Sequence, residues 1–210
     1  MEIAKVLNKK NRMTDLSFSE SYLSELKDLL NIFPHEQLER VVECLLGAYE
    51  KGRSIFVMGN GGSGATASHF ACDINKGTCL ALEKKFRVIC LNDNIPTMLA
   101  LSNDLSYEDI FVEQMKNFFQ PGDIVMGISG SGNSENILRA IKYALQNGGI
   151  TIGFCGFDGG ELGRLADIPL VVESNDMQKI EDVHMIIVHM LMQAISTALN
   201  HTGNPLKEIR

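Results

Sequence analysis

After Lys51 the chain sets out five short apolar runs, at residues 54–58, 87–91, 123–128, 149–155 and 168–172. Stretches with helical spacing separate most of them, at about 63–75, 95–101 with 107–118, and 133–146. Runs this short and this apolar read as strands covered on both faces. Parallel neighbours need a long crossover, and a helix supplies it. The alternation therefore predicts an α/β three-layer sandwich around a five-stranded parallel sheet, with right-handed crossovers. In such sheets ligands bind beyond the carboxyl ends of the strands.

Two helical patterns precede the first strand. Leu23, Leu26, Leu29 and Leu30 space a helix over 17–30, and Leu38, Val41, Val42, Leu45 and Leu46 space another over 34–51, with Pro34 in its first turn. Residues 1–16 are polar and are expected to fray, and a last helix is expected over 176–199. This gives a helical segment at 1–50 suited to joining subunits, a ligand-binding domain at 51–200 and a tail at 201–210, one structural domain overall.

Two loops sit where the sheet would place a ligand. Gly59-Asn60-Gly61-Gly62-Ser63-Gly64 follows the first run, and Ser129-Gly130-Ser131-Gly132-Asn133-Ser134 follows the third. Small residues bring backbone N–H groups close to an anion, and the helix that follows points its positive end at the same place. Both loops are rich in hydroxyls and nearly free of cations, which suits a phosphate ester. Capping would account for Ser134 alone, but not for Ser129 and Ser131 as well.

Rival readings of the loops fit less well. Gly59, Gly61 and Gly64 match G-x-G-x-x-G, but Asp93 comes late for a ribose contact and a dinucleotide fold needs no second hydroxyl loop, so no nucleotide cofactor is expected. G-x-x-x-x-G-K is absent, and neither Ser129 nor Ser131 has the flanking glycines of a nucleophile elbow. The formal charge of −7 argues against nucleic acid and against anionic membranes as partners, yet leaves a phosphate ligand open because backbone amides need no net positive charge.

Five cysteines occur without a C-x-x-C pair, as expected for free thiols in a reducing compartment. No apolar stretch is read as a membrane span, and Met1-Glu2-Ile3-Ala4-Lys5 lacks a secretory pattern, so a cytoplasmic location is expected.

Four polar residues could do chemistry. His69 and Asp73 stand four apart on the helix leaving the first loop and share a face. On the last helix Glu181 and His189 are about 80° apart around the axis at ~100° per residue. Two His with two carboxylates could hold a divalent metal such as zinc. Alternatively, a carboxylate and an imidazole could move protons between adjacent carbons without a metal. His184 points away from His189 and reads as structural or interfacial.

Taken together, Gly59-Asn60-Gly61-Gly62-Ser63, His69-Phe70-Ala71, Ser102-Asn103-Asp104 through Asp109-Ile110-Phe111, and Gly127-Ile128-Ser129 with Ser131-Gly132-Asn133-Ser134 resemble the sugar isomerase (SIS) domain, a flavodoxin-like fold. Asp158-Gly159-Gly160, Ala166-Asp167-Ile168 and residues 180–189 continue the resemblance, which spans roughly 35–200 and is greatest to the phosphoheptose isomerases. It implies interconversion of sedoheptulose 7-phosphate and D-glycero-D-manno-heptose 7-phosphate by enediol proton transfer. It also implies a homotetramer with sites between subunits and the use of Zn2+. Carried over residue by residue, Asn60, Gly61, Gly62 and Ser63 line the sugar with Asn92 and Asp93 nearby, and Ser129, Gly130, Ser131 and Ser134 hold the phosphate. His69, Asp73, Glu181 and His189 take the metal or catalytic positions, Asp73 and His189 as acid and base and Glu181 also as a substrate contact.

The chain departs from that family at four places. Asp73 stands for the usual Glu, Glu181 for Gln, Gly130 for the middle hydroxyl of the phosphate loop, and Gly77, beside Lys76, for an arginine. The alternatives to the heptose reaction are an isomerase or epimerase of another sugar phosphate, and a non-catalytic SIS module that binds a protein.

Overall fold

The computed structural model describes residues 16–80 and 82–200; the expected polar start, up to residue 15, and the tail at 201–210 lie outside them. The chain divides into two compact units between Phe33 and Pro34. The first contains helix α1 (Leu16–Asn31), with the leucines at 26, 29 and 30 on one stripe. The second contains everything else, including helix α2 (His35–Lys51). The dividing line thus falls ahead of residue 50, and the reason lies in α2. Its apolar stripe Val41, Leu45 and Ala48 is buried, and the helix packs on the last helix and on the first and fifth strands. Gly52, in the left-handed region at φ 65°, ends α2 and turns the chain into the sheet.

The sheet contains β1 (Ser54–Gly59), β2 (Arg87–Cys90), β3 (Ile124–Ser129), β4 (Ile150–Gly156) and β5 (Ile168–Val172). All neighbours are parallel and the order is β2-β1-β3-β4-β5. Every residue of β1 and β3 is buried, as the unbroken apolar runs required. Register sets Ile55 beside Ile124 and Ser129 beside Cys155, so the carboxyl ends of β1, β3 and β4 finish level.

Helix α3 (Gly61–Cys72) follows β1 and runs on into a π turn, Asp73–Thr78. After β2 come α4 (Ile95–Asp104), a 3-10 turn (Tyr107–Asp109) and α5 (Ile110–Lys116). α6 (Glu135–Gln146) links β3 to β4, α7 (Gly160–Leu165) links β4 to β5, and α8 (Met177–Asn200) closes the chain. α2, α3 and α8 pack together on one side of the sheet, and α4 to α7 on the other. That second side holds the core of Phe56, Met58, Phe111, Met115, Val125, Ile137 and Ile141. α7 was not foreseen: six residues with two glycines carry too little periodicity to register.

One expectation about membranes needs correction. Among the described residues, 177–199 are long and apolar enough to cross a bilayer by length and composition. The surplus apolar residues have a use within the fold, since Ile180, Val183, Ile187, Val188, Leu191 and Ile195 are buried where α8 packs on α2, α3 and the sheet.

Candidate functional site

Strand order reverses between β1 and β3, and both glycine loops leave the sheet there. Crossovers depart to opposite sides at such a point and open a crevice between the two loops. A cleft of about 290 Å³ occupies it, lined by Asn60, Gly61, Gly62, Ser63, Ile128, Ser129, Gly130, Ser131, Ser134, Met177 and Glu181. All eleven come from the two loops and the strand and helix ends beside them or from α8's first turns, so residues far apart in sequence converge.

The helices that open onto the cleft are uncapped by side chains. Asn60 is the N-cap of α3 and Ser134 that of α6, both residue types that ordinarily accept from the first-turn amides, yet neither side chain does so. Ser134 Oγ instead lies 3.2 Å from Ser129 Oγ. Asn60 turns to Asn136, and the two amides bond each other reciprocally at 2.9 Å. The Ile137 N–H of α6 is taken up by Asn136 Oδ1 and Ser134 O, both at 3.0 Å, but the amides ahead of it on α6 and those at the start of α3 are left for a ligand, with the positive ends of two dipoles behind them.

The second loop is braced from behind. Gly130 O accepts from the Gly156 N–H (2.8 Å), Gly132 O from the Leu162 N–H (2.8 Å), and Asn133 Oδ1 from the Glu161 N–H (3.0 Å). Gly132 lies at φ 66°, and a Cβ there would stand 2.0 Å from Gly159 O, so both conformation and space demand glycine. At Gly130 a Cβ would stand 2.4 Å from Met177 Sδ. Met177 thus fills the room that a larger residue at 130 would take.

The first loop is held by Asn92, whose Oδ1 accepts from the Gly59 N–H (3.1 Å) while its Nδ2 donates to Gly59 O (2.7 Å). Asn92 and Asp93 do not line the cleft; Asp93 accepts from Ser68 Oγ. Glu181 presses its carboxylate on Gly62, where a Cβ would be 2.6 Å from Oε1. A carboxylate at the amino end of α3 is favourably placed against the dipole.

A second cluster lies where α3 meets α8. His69 Nε2 is 3.0 Å from His189 Nε2 and 3.3 Å from Asp73 Oδ2, with the imidazoles edge-on at 72°. Asp73 begins the π turn, a local rewinding that often marks functional positions. Its Oδ2 is buried and has no hydrogen-bond partner, the approach to His69 lacking the alignment of a bond. An unsatisfied buried carboxylate oxygen is costly, and a cation would satisfy it. Ligand atoms of the three residues lie within 4.8 Å of one another. Donors held at about 2.0–2.2 Å from one ion stand a little over 3 Å apart, so two imidazoles and a carboxylate fit a divalent metal of the zinc type.

Of the four residues expected at the metal or catalytic positions, three meet here and Glu181 stands apart at the cleft. Angle around α8 brought Glu181 and His189 together in the sequence reading. Eight residues of rise, about 12 Å, part them along the axis. His184 lies between, buried, with Nε2–H donating to Cys155 O at 3.1 Å. Burial pushes its pKa down to about 4, so it is neutral at pH 7. Asn136, Tyr107 and Met177 were not assigned roles from sequence. Asn136, two residues past Ser134 and buried at the start of a helix, carried the only available signal.

The sequence pattern of the SIS domain matches residues 21–156. A phosphoheptose isomerase of Clostridium acetobutylicum is 38% identical over 164 residues, covering 78% of this chain and 83% of its own. The structure of a phosphoheptose isomerase from Francisella tularensis superposes with a TM-score of 0.79 at 29% identity, over 86% of this chain and 95% of that one. The phosphoheptose isomerase of Neisseria gonorrhoeae shares the fold, with a TM-score of 0.80 at 24% identity over 86% of this chain and 98% of its own.

Proposed function

The chain belongs to the SIS-domain family and, within it, to the phosphoheptose isomerases, and from that premise we propose that it interconverts sedoheptulose 7-phosphate and D-glycero-D-manno-heptose 7-phosphate. The observation that carries the reading is the pair of uncapped helix ends facing one cleft, with a cluster of two histidines and an aspartate on the helices that flank it.

In this reading the phosphate is seated by the hydroxyls of Ser129, Ser131 and Ser134 and by the amides at the start of α6. Asn60, Gly61, Gly62, Ser63 and Glu181 face the sugar, Glu181 as an acceptor for its hydroxyls. Seating the far end orients the reacting end, which converts binding into proximity. Asp73 or His189 takes a proton from C1 of the ketose. The electron pair forms the C1=C2 bond and C2=O becomes a hydroxyl or oxyanion. A proton then returns to C2, and loss of the O1 proton leaves the C1 aldehyde. His69, Asp73 and His189 would hold a divalent metal, zinc by their donor set, with Glu181 available to the sugar rather than to the ion; in that form His189 serves as a ligand and the proton passes to the carboxylate oxygen of Asp73 that does not hold the ion. Such a metal, when bound, polarises the sugar's carbonyl and hydroxyl oxygens.

The protein acts in the cytoplasm, where its five free thiols stay reduced, and assembles as a homotetramer. Support for assembly is the exposure of both His69 and His189, together with the open apolar residues Ile95 and Leu99 on α4. The test is conversion of sedoheptulose 7-phosphate to the aldose by purified protein, alongside metal analysis and light scattering. Turnover with that ketose is expected. Failure with it but success on a five- or six-carbon ketose phosphate would move the assignment to another sugar phosphate, and no turnover on any would overturn it.

A further inference from the structure

Asn60 is held in one orientation by a chain of bonds that begins at a backbone amide. The Ile137 N–H can only donate, so the Asn136 side-chain atom 3.0 Å from it is Oδ1. That fixes Asn136 Nδ2 on the side of Asn60, where it donates to Oδ1 at 2.9 Å, and fixes Asn60 Nδ2 as the donor to Asn136 Oδ1 at 2.9 Å. The Tyr107 hydroxyl, 2.9 Å from Asn60 Oδ1, donates as well. Both lone pairs of Asn60 Oδ1 are then engaged, and one N–H of Nδ2 is all that Asn60 can offer the cleft that it lines.

Tyr107 is placed for this work by its own turn and by α6 together. It opens the 3-10 turn Tyr107–Asp109. Asp109 accepts from Arg139 of α6 at 2.8 Å and from Ser106 Oγ at 2.7 Å. The turn, the first loop and the start of α6 are thereby tied into one unit around Asn60.

We propose that Tyr107 is a positioning residue that makes Asn60 a donor-only group, selective for an acceptor oxygen on the sugar chain of the substrate. The proposal rests on the isomerase reading above. Sugar hydroxyls can turn to donate or to accept, so a side chain fixed as a donor orders them in one sense; the Glu181 carboxylate, which lines the same cleft against Gly62, orders them in the other. The phosphate is not the target of Asn60, because the hydroxyl loop supplies its own donors.

The test is Tyr107→Phe, which keeps the ring and removes only the hydroxyl from a half-exposed side chain. kcat/KM for sedoheptulose 7-phosphate is expected to fall about three- to tenfold, the scale of one hydrogen bond. The Kd for inorganic phosphate and the melting temperature should stay at wild-type values. A second variant, Asn60→Asp, replaces the donor by an acceptor of the same shape and should lose more than Y107F. Unchanged kcat/KM in Y107F, or a loss of phosphate affinity equal to the loss in kcat/KM, overturns the proposal. If Y107F melts early, the comparison is made at a temperature where both it and the wild type are fully folded. Wild-type protein without turnover overturns the isomerase reading and this proposal with it, whereas normal turnover in Y107F overturns the proposal alone.

Discussion

The two ends of the site are built from different materials. The hydroxyl loop, Ser129–Ser134, has backbone amides and serine oxygens and is braced from behind by the end of β4 and by α7. The cluster of His69, Asp73 and His189 is made of side chains that gain and lose protons, and it includes a buried carboxylate oxygen without a partner. One end is braced and offers open backbone donors, the other has a buried acceptor left unsatisfied. A site divided this way separates holding from reacting, and mutations at the two ends should fall on different kinetic constants.

The largest effect is expected at the reacting end. His189→Ala should reduce kcat by about 10²–10⁴-fold, the usual contribution of one acid–base group, with the Kd for inorganic phosphate nearly unchanged. Steady-state kinetics beside calorimetric phosphate titration checks it, and equal losses in both would break the division. At the holding end, Ser134→Ala should weaken phosphate about 10- to 100-fold, as for one hydrogen bond to a charged group, and should raise KM with little change in kcat.

A further effect, read in stability rather than in turnover, concerns the span of α8 between Glu181 and His189. The pKa of His184 is near 4 in the folded protein, below the value of an unfolded chain, because burial disfavours the imidazolium. The unfolded state therefore binds more protons at low pH. His184 contributes fully above about pH 6.5, and stability drains as the pH falls toward 4, by on the order of 3 kcal/mol. Denaturant melts across that range should show the slope, and His184→Gln should flatten it. An unchanged slope would detach α8's anchoring from this residue.

Much of this was legible in the sequence because it depends on local pattern. Unbroken apolar runs located the five strands to within a residue or so, and their alternation with helices dictated a parallel sheet. Four-residue spacing put His69 beside Asp73. What escaped depends on distance through space. Angle alone joined Glu181 to His189, while rise along α8 sends one to the cleft and the other to the cluster. Asn60 and Asn136 lie 76 positions apart, and no periodicity links them. Gly130 looked like a lost hydroxyl until Met177 was found filling its room. α2 looked like part of an accessory segment because its partner surface is built by strands that come later in the chain.

The left-handed turn at Gly132 has a consequence for how the ligand arrives. With the loop's carbonyls already committed to Gly156 and Leu162, the receptor that the proposed function assigns to the anion exists before any sugar does. Little ordering entropy is lost on association, so even a small free oxyanion should lodge there and exchange rapidly, and the cell's own phosphate pool becomes a standing competitor that the sugar must displace.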